Sequence, residues 1–438
     1  MQKQARRRGE RQVGRVVPWW LLAGAGVLTQ LLTMASGIMA ARMLGAEGRG
    51  QVVLVATLAV MGSQLTLGGS LPNAITKQLA ERGVTARDGL RGLVLRWFPL
   101  GLLAGGLGGA LMLYFEWDVD GPTKYGLALG VVVMAIQAMA SRILVGAMLG
   151  EGSNPVHIAL TGVLPQAAVV VVVGTALSFG VRWNALELMS VTVICTGLVL
   201  VARLRVLALP TGRPEDRLNG LELARLARRT HFGSVGPIDG LAIDRTLVGA
   251  LLGNVQLGLY SAAFAIGGLA SILGACLGMV ALPRVAFLQK DPEAEAHFVR
   301  GWLLLSTLLL GVVVAGLEAV TEPVIRLTFG ADFVGATACA RWILVGSGLL
   351  GFRRVLIAVL QGRDRGRLPS VVELALTPVV VLGVVLAAAA NSLVGVGITM
   401  TAVGAASCLV LGLAVARSSA TGGLSSASEP RAADTPLV

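Results

Sequence analysis

The chain is written in long apolar windows separated by short polar connections. A window of about 20 apolar residues spans the roughly 30 Å hydrocarbon core of a bilayer as an α-helix. Twelve such windows can be placed, near residues 18–41, 51–76, 92–115, 125–148, 156–179, 184–204, 232–252, 259–283, 300–317, 337–361, 369–390 and 394–416. Composition agrees: of 438 residues, 55% are hydrophobic, 58 are glycine and only 14% are charged, against about 25% charged in an average soluble domain. A soluble globule this apolar could not cover its own surface, and a disordered chain would carry more charge. Four cysteines spread over the whole length exclude a disulfide scaffold. The predicted fold class is all-α integral membrane, with twelve transmembrane helices.

A net charge of +12 on a soluble protein would suggest nucleic acid. Its distribution points elsewhere. Counting residues at helix ends with the adjoining connections, the two tails and the even-to-odd connections hold 25 Lys and Arg, and the odd-to-even connections hold 5. Such a bias places both the N and C termini in the cytoplasm. The basic charge is therefore topological, and no nucleic acid is expected as a partner. Trp19, Trp20, Trp97 and Trp302 fall at inner helix starts, and Trp117, Trp183 and Trp342 at outer ends, where interfacial aromatics belong. The arginine-rich start resembles a signal-peptide n-region, but the apolar stretch after it is too long, so a retained helix is expected.

Landmarks recur between the two halves of the sequence. Leu44-Gly45 followed by Gly50 reappears as Leu252-Gly253 followed by Gly258, 208 residues on. Leu71-Pro72 reappears as Leu282-Pro283 at an offset of 211, and Arg142 with Gly150 as Arg354 with Gly362 at 212. Pro155 and Pro165 have counterparts in Pro369 and Pro378, at 214 and 213. Both Leu-Pro pairs are expected to end their helices. Six helices per half is an even number, so the two bundles are predicted to run parallel, related by a pseudo-two-fold axis along the membrane normal. The expected organisation is a basic tail at 1–15, bundles at 16–204 and 232–416, a cytoplasmic linker at 205–231 and a disordered tail at 417–438. Leu218, Leu221, Arg225, Arg228 and Arg229 make the linker amphipathic and read as an interfacial helix.

The end of helix 1 reads ARMLGAEGRGQ, and helix 7 with its continuation reads IDRTLVGALLGNVQLGLYSAAFAI, followed by ALPRVA. Further on come PVIRLTFGADFVGA and RRVLIAVLQGRDRGR. Together these segments resemble the polysaccharide exporter branch of the superfamily that also holds multidrug-and-toxin extrusion pumps and lipid II flippases. The resemblance runs from about Val16 to Arg417. It implies a MATE-like fold in the bacterial cytoplasmic membrane. It also implies flipping of undecaprenyl-diphosphate-linked oligosaccharide for O-antigen, capsule or exopolysaccharide, with a glycan polymerase as a candidate partner.

The residues themselves point the same way. No connection is long enough to fold into a domain, so the machinery lies in the bilayer. A charged, sugar-bearing head group cannot cross hydrocarbon unaided, because each unpaired hydroxyl costs several kcal/mol and each charge far more. A protein that solves this problem needs a hydrated cavity with cationic side chains. Ionisable residues inside helices are candidates by default. Asp244 and Arg245 are predicted about 13 residues into helix 7, roughly 20 Å deep at 1.5 Å per residue. Arg245 would contact phosphate or glycan and Asp244 would orient it; the alternative is a structural ion pair between helices. Arg142 and Arg354 could clamp a diphosphate from opposite bundles or snorkel to the interface. Gln30 and Asn73 could line the cavity or join helices, and Asp239 and Glu373 are candidate proton or sodium sites. The three histidines lack metal-ligand spacing, and no Walker A motif is present. Neither a metal nor a cofactor is expected.

Rival readings fit less well. A major-facilitator transporter also has twelve helices in parallel halves, but its loop between helices 2 and 3 carries Asp-Arg, where this chain reads RGVTARDGLRG with Arg87-Asp88 reversed. A drug-cation extruder of the same superfamily would favour carboxylates over arginines. A glycan polymerase, which is an enzyme, needs a large outer loop with catalytic residues, and none is present. Transport rather than catalysis is the expected activity.

Overall fold

The computed structural model describes residues 19–82, 93–115, 121–208, 218–234, 236, 240–289 and 291–426. The elements of the first half are α1 (Trp19–Ser63), a π-helical turn (Gln64–Gly68), α2 (Ser70–Arg82), α3 (Leu93–Phe115), α4 (Gly121–Glu151), α5 (Pro155–Ser178) and α6 (Ala185–Ala208). A connecting helix α7 (Gly220–Ser234) leads to α8 (Ile243–Leu288) and α9 (Pro292–Thr328). A 3-10 turn (Ala331–Ala336), α10 (Thr337–Gly362), α11 (Arg367–Ala389) and α12 (Leu393–Ser426) complete the chain. Local chemistry sets several starts. Asp291 accepts from the Ala294 amide ahead of Pro292, and Asn184 and Glu187 form a reciprocal cap at the start of α6.

Among the described residues, ten helices are long and apolar enough to cross a membrane. The figure differs from twelve because α1 and α8, with 45 and 46 residues, each join two apolar windows. A straight helix of that length would run about 70 Å, more than twice the hydrocarbon core. Neither is straight. Gly45 (φ 67°) and Gly253 (φ 83°) adopt left-handed backbone inside the two helices, a conformation that glycine takes without strain. The repeated Leu-Gly landmark is thus a repeated kink. Leucines of α9 such as Leu304 and Leu308 stay exposed along its length, as a helix solvated by lipid requires.

Other expectations are corrected. Leu71-Pro72 does not end the second window; it opens α2, where proline is tolerated because its amide would be unpaired anyway. The break comes earlier, at the π-turn, where Leu67 is left-handed (φ 72°). Leu282-Pro283 lies inside α8, which continues to Leu288. Helix 7 is expected from 232, but α7, over Gly220–Ser234, takes the end of the linker and the first residues of that window, and α8 begins at Ile243. The sequence between, from Gly233 through Gly236, Pro237 and Gly240, is dense in helix breakers. α12 extends to Ser426, well into the stretch expected to be a disordered tail.

The apolar core has two ends of different kind. At the end marked by Gly45 and Gly253, one cluster runs through both halves, from Leu54, Leu58 and Leu127 to Tyr260, Phe333 and Met400. At the other end there are separate clusters. One gathers Leu71, Ile75 and Leu79 with Leu223 and Ala227 of α7, another joins Leu277, Val285, Val355 and Leu411, and a third joins Leu144, Met148 and Ile158. The halves are fused at the kink end and divided at the linker end.

Candidate functional site

Between the halves lies a cavity of about 470 Å³. α1 supplies Gln30, Thr33, Arg49 and Thr57 to its wall, α8 supplies Asp244, Arg245, Ser261 and Ser271, and α10 supplies Ser347 and Arg354. Among the described residues that line it, the charged ones are three arginines and one aspartate.

The kink at Gly253 builds the acidic corner. It folds the first arm of α8 back so that Asp244 meets Tyr260, whose hydroxyl donates to Asp244 Oδ2 at 2.6 Å. Both side chains are buried. The aspartate is therefore held by the helix that carries it. Its neighbour Arg245 turns elsewhere, with its guanidinium carbon 4.2 Å from the Phe264 ring centroid. A cation over an aromatic face is stabilised while its N–H edge stays free for other partners. Arg245 Nε has no hydrogen-bond partner. The two residues sit in the first turn of α8, not 13 residues into a helix as their spacing predicted, because the helix starts later.

Arg354 lines the same cavity and donates through Nη1 to the Ser271 carbonyl at 3.3 Å. Gln30 faces it from α1. Arg142 and Asn73 do not: they line a second pocket between α2, the π-turn and α4, which shares no lining residue with the first. The two repeat-related arginines are thus not brought together as a clamp. Glu373, expected to couple ions, accepts from Arg353 Nη2 at 2.6 Å in a buried pair, so its charge is already matched by a cation of the protein. Asp239 lies outside the described residues.

The sequence reading missed Arg49, which the apolar windows place in a connection. In the structure it is 4% exposed. Its Nε donates to Ser261 Oγ at 2.8 Å and its Nη1 to the Gly37 carbonyl at 3.0 Å, beneath the rings of Phe329 and Phe333. Arg42 donates to the carbonyls of Leu327 and Thr328 at the C-terminus of α9. The run GRG around Arg49 was the available signal, since a charge between two glycines can lie against backbone. Beside these arginines the halves cross at their closest point. A methyl group on Gly50 would strike the carbonyl of Asn254, and one on Gly258 would strike the carbonyl of Ala46. Both pairings obey the 208-residue offset, so the kink end is closed by a crossing with two-fold pseudo-symmetry.

At the linker end, α7 packs on α2. Arg82 Nη2 lies 2.8 Å from Glu222 Oε2 and Ser70 Oγ lies 3.3 Å from His231 Nδ1. Burial lowers the His231 pKa, against a smaller opposing effect of the Leu65 carbonyl. Among the described residues no cluster of His, Cys, Asp and Glu could hold a metal ion.

Fold and cavity define a multi-pass membrane protein with the architecture of MATE proteins and of the lipid II flippase MurJ. The inward closed conformation of MurJ superposes with a TM-score of 0.70 at 13% identity, covering 92% of this chain and 90% of that one. A MATE protein in complex with MaL6 gives 0.62 at 14% identity, covering 95% and 97%. A transporter of the MOP superfamily from Pyrococcus furiosus gives 0.59 at 15%, covering 92% and 94%. Residues 240–338 match the family model described as a polysaccharide biosynthesis protein. Family model and fold together bear out the resemblance to the polysaccharide branch of the superfamily. No curated protein matches the sequence.

Proposed function

We propose that the chain is a flippase that moves undecaprenyl-diphosphate-linked oligosaccharide across the bacterial cytoplasmic membrane, for O-antigen, capsule or exopolysaccharide synthesis. α1 contributes two crossings. The ten-residue arm of α8 before Gly253, about 15 Å long, completes a crossing together with the sequence ahead of Ile243. The ten long helices thus make twelve crossings, with both termini in the cytoplasm. Residues 16–204 and 232–416 act as rocking bundles, and the kink end faces outward. The cavity is then closed outside by the glycine crossing.

One observation carries this reading: among the described residues that line it, the cavity between the halves presents three arginines against one aspartate, and Tyr260 already holds that aspartate. Such a lining suits a diphosphate, whose oxygens accept charge-assisted hydrogen bonds. It does not suit a drug cation, which would want a free carboxylate. Arg245 and Arg354 would take the phosphates, Gln30 the first sugars, and Asp244 would position its arm of α8. The lipid tail stays in the bilayer, and no catalytic step is required.

The test is translocation of a fluorescent undecaprenyl-diphosphate oligosaccharide in proteoliposomes, scored by accessibility to a glycosidase. Movement above empty liposomes, lost in Arg245→Ala at normal protein levels, supports the proposal. No movement, with transport of a free small solute by the same vesicles, removes the lipid-linked glycan as substrate.

A further inference from the structure

The pocket that holds Arg142 has no role in the account so far. It occupies about 380 Å³ inside the first half, and its polar lining consists of Gln64, Asn73, Thr76, Ser141 and Arg142. Among the described residues no acidic one lines it. Arg142 Nη1 and Gln64 Oε1 are both buried there without a hydrogen-bond partner. Buried polar atoms left bare are uncommon and point to a missing occupant.

The pocket exists because the backbone departs from a helix. The π-turn Gln64–Gly68 places Gln64 and Gly68 on its wall, and it is held with a leucine in the left-handed region. π-Turns and strained residues of this kind gather at functional sites. At the same offset in the second half, α8 runs on without a break. There Gly274 packs against the backbone of Gly351 and Gly278 against the carbonyl of Arg354. Arg354 turns to the central cavity, and Arg142 keeps a pocket of its own.

The donor set fixes the sign of the ligand. The guanidinium, two carboxamides and the Ser141 hydroxyl offer N–H and O–H groups. Asn73 Nδ2 spends one on its own helix, at the Gly69 carbonyl. Thr76 Oγ1 is turned to the carbonyls of Pro72 and Gly146. A half-turn of the Gln64 carboxamide presents either its oxygen or its NH₂. One arginine with several neutral donors and no carboxylate is a receptor for a phosphate group.

We infer that this pocket is a second anion site, built for a phosphate group and separate from the central cavity; it does not depend on what the central cavity carries. The phosphate belongs either to a lipid head group or to a free diphosphate. The full chain in dodecyl maltoside micelles, which carry no phosphate, decides the matter by hydrogen exchange at residues 64–76. Protection by added pyrophosphate identifies the free anion. Protection only when phosphatidylglycerol is included identifies the lipid. In Arg142→Gln the concentration needed rises roughly ten- to hundredfold, as loss of a charged hydrogen bond implies. Arg142→Lys falls between, and Arg354→Gln leaves these residues as in the wild type. If Arg142→Gln does not elute as a single species, Ser141→Leu, which fills the pocket, replaces it with the same expectation. No protection of 64–76 by either ligand overturns the site, as does protection equal to wild type in Arg142→Gln or Ser141→Leu, or its loss in Arg354→Gln.

Discussion

The two halves descend along the same landmarks, yet they use them differently. Gly45 and Gly253 kink their helices alike, and Gly50 and Gly258 meet the opposite backbone alike. Away from that end the halves diverge. The second half buries Arg353 against Glu373, whereas the positions at the repeat offsets in the first half are Ser141 and Ala159. The second half continues as an unbroken packed helix where the first has a π-turn and a pocket. Symmetry is thus kept where the halves meet and abandoned where each bundle packs on its own.

The largest expected effect breaks the comparison at the buried pair. Arg353→Ala removes the guanidinium that matches the buried Glu373 carboxylate, which costs about 3–5 kcal/mol, while Ser141→Ala stays within about 0.5 kcal/mol. Thermal unfolding in detergent separates them. Arg353→Met combined with Glu373→Leu recovers most of the loss, since the charges then vanish together. Equal, small effects of both single changes would mean that the pair does not hold the second bundle.

Next come the crossing glycines. Gly50→Ala and Gly258→Ala each drive a methyl group into a backbone carbonyl that no rotamer can vacate. Overpacking of this kind costs about 1–3 kcal/mol and shifts the balance away from the closed kink end by roughly 5- to 150-fold. Labelling of a cysteine at Thr57, in a background without Cys195, Cys276, Cys339 and Cys408, reads the shift. The two variants should match; a response from only one would show that the symmetry of the sequence is not symmetry of the gate.

The smallest effect concerns α7. With the His231 pKa lowered by burial, undocked α7 binds the proton more readily than docked α7. Docking is therefore full above about pH 6.5 and weakens as pH falls through the lowered value. The site is half-exposed, so solvent screens much of the effect. The protection of α7 amides, taken relative to the intrinsic exchange rate at each pH, should fall from pH 7.5 to 5.5 in the wild type and hold steady in His231→Gln.

Apolar windows alone reveal the helices, because a bilayer imposes length and composition on anything that crosses it. The repeat offset reveals the kinks and the crossing, since Gly45 and Gly253 recur where a left-handed turn recurs. The start of α8 was not legible. The Gly-Pro run before Ile243 is apolar enough to pass for helix, and only the backbone shows where helix resumes. For the site, Arg245, Asp244, Arg354 and Gln30 were reachable because charge or amide inside an apolar window stands out. Arg49 gave a weaker signal, the glycines on either side of it, and it sits in what reads as a connection. Arg142 looked equivalent to Arg354, and the π-turn that separates their surroundings has no signature in sequence spacing.

The central claim is that the lipid-linked glycan passes through the cavity between the halves. A photo-crosslinking residue placed at Met34, on the cavity wall, and another at Val171, which is exposed, test it directly in membranes that hold undecaprenyl-diphosphate oligosaccharide. Glycan label on the Met34 variant, absent from the Val171 variant and reduced by Arg245→Ala, is the result expected. Label at Val171 alone, or at Met34 regardless of Arg245, would contradict the account.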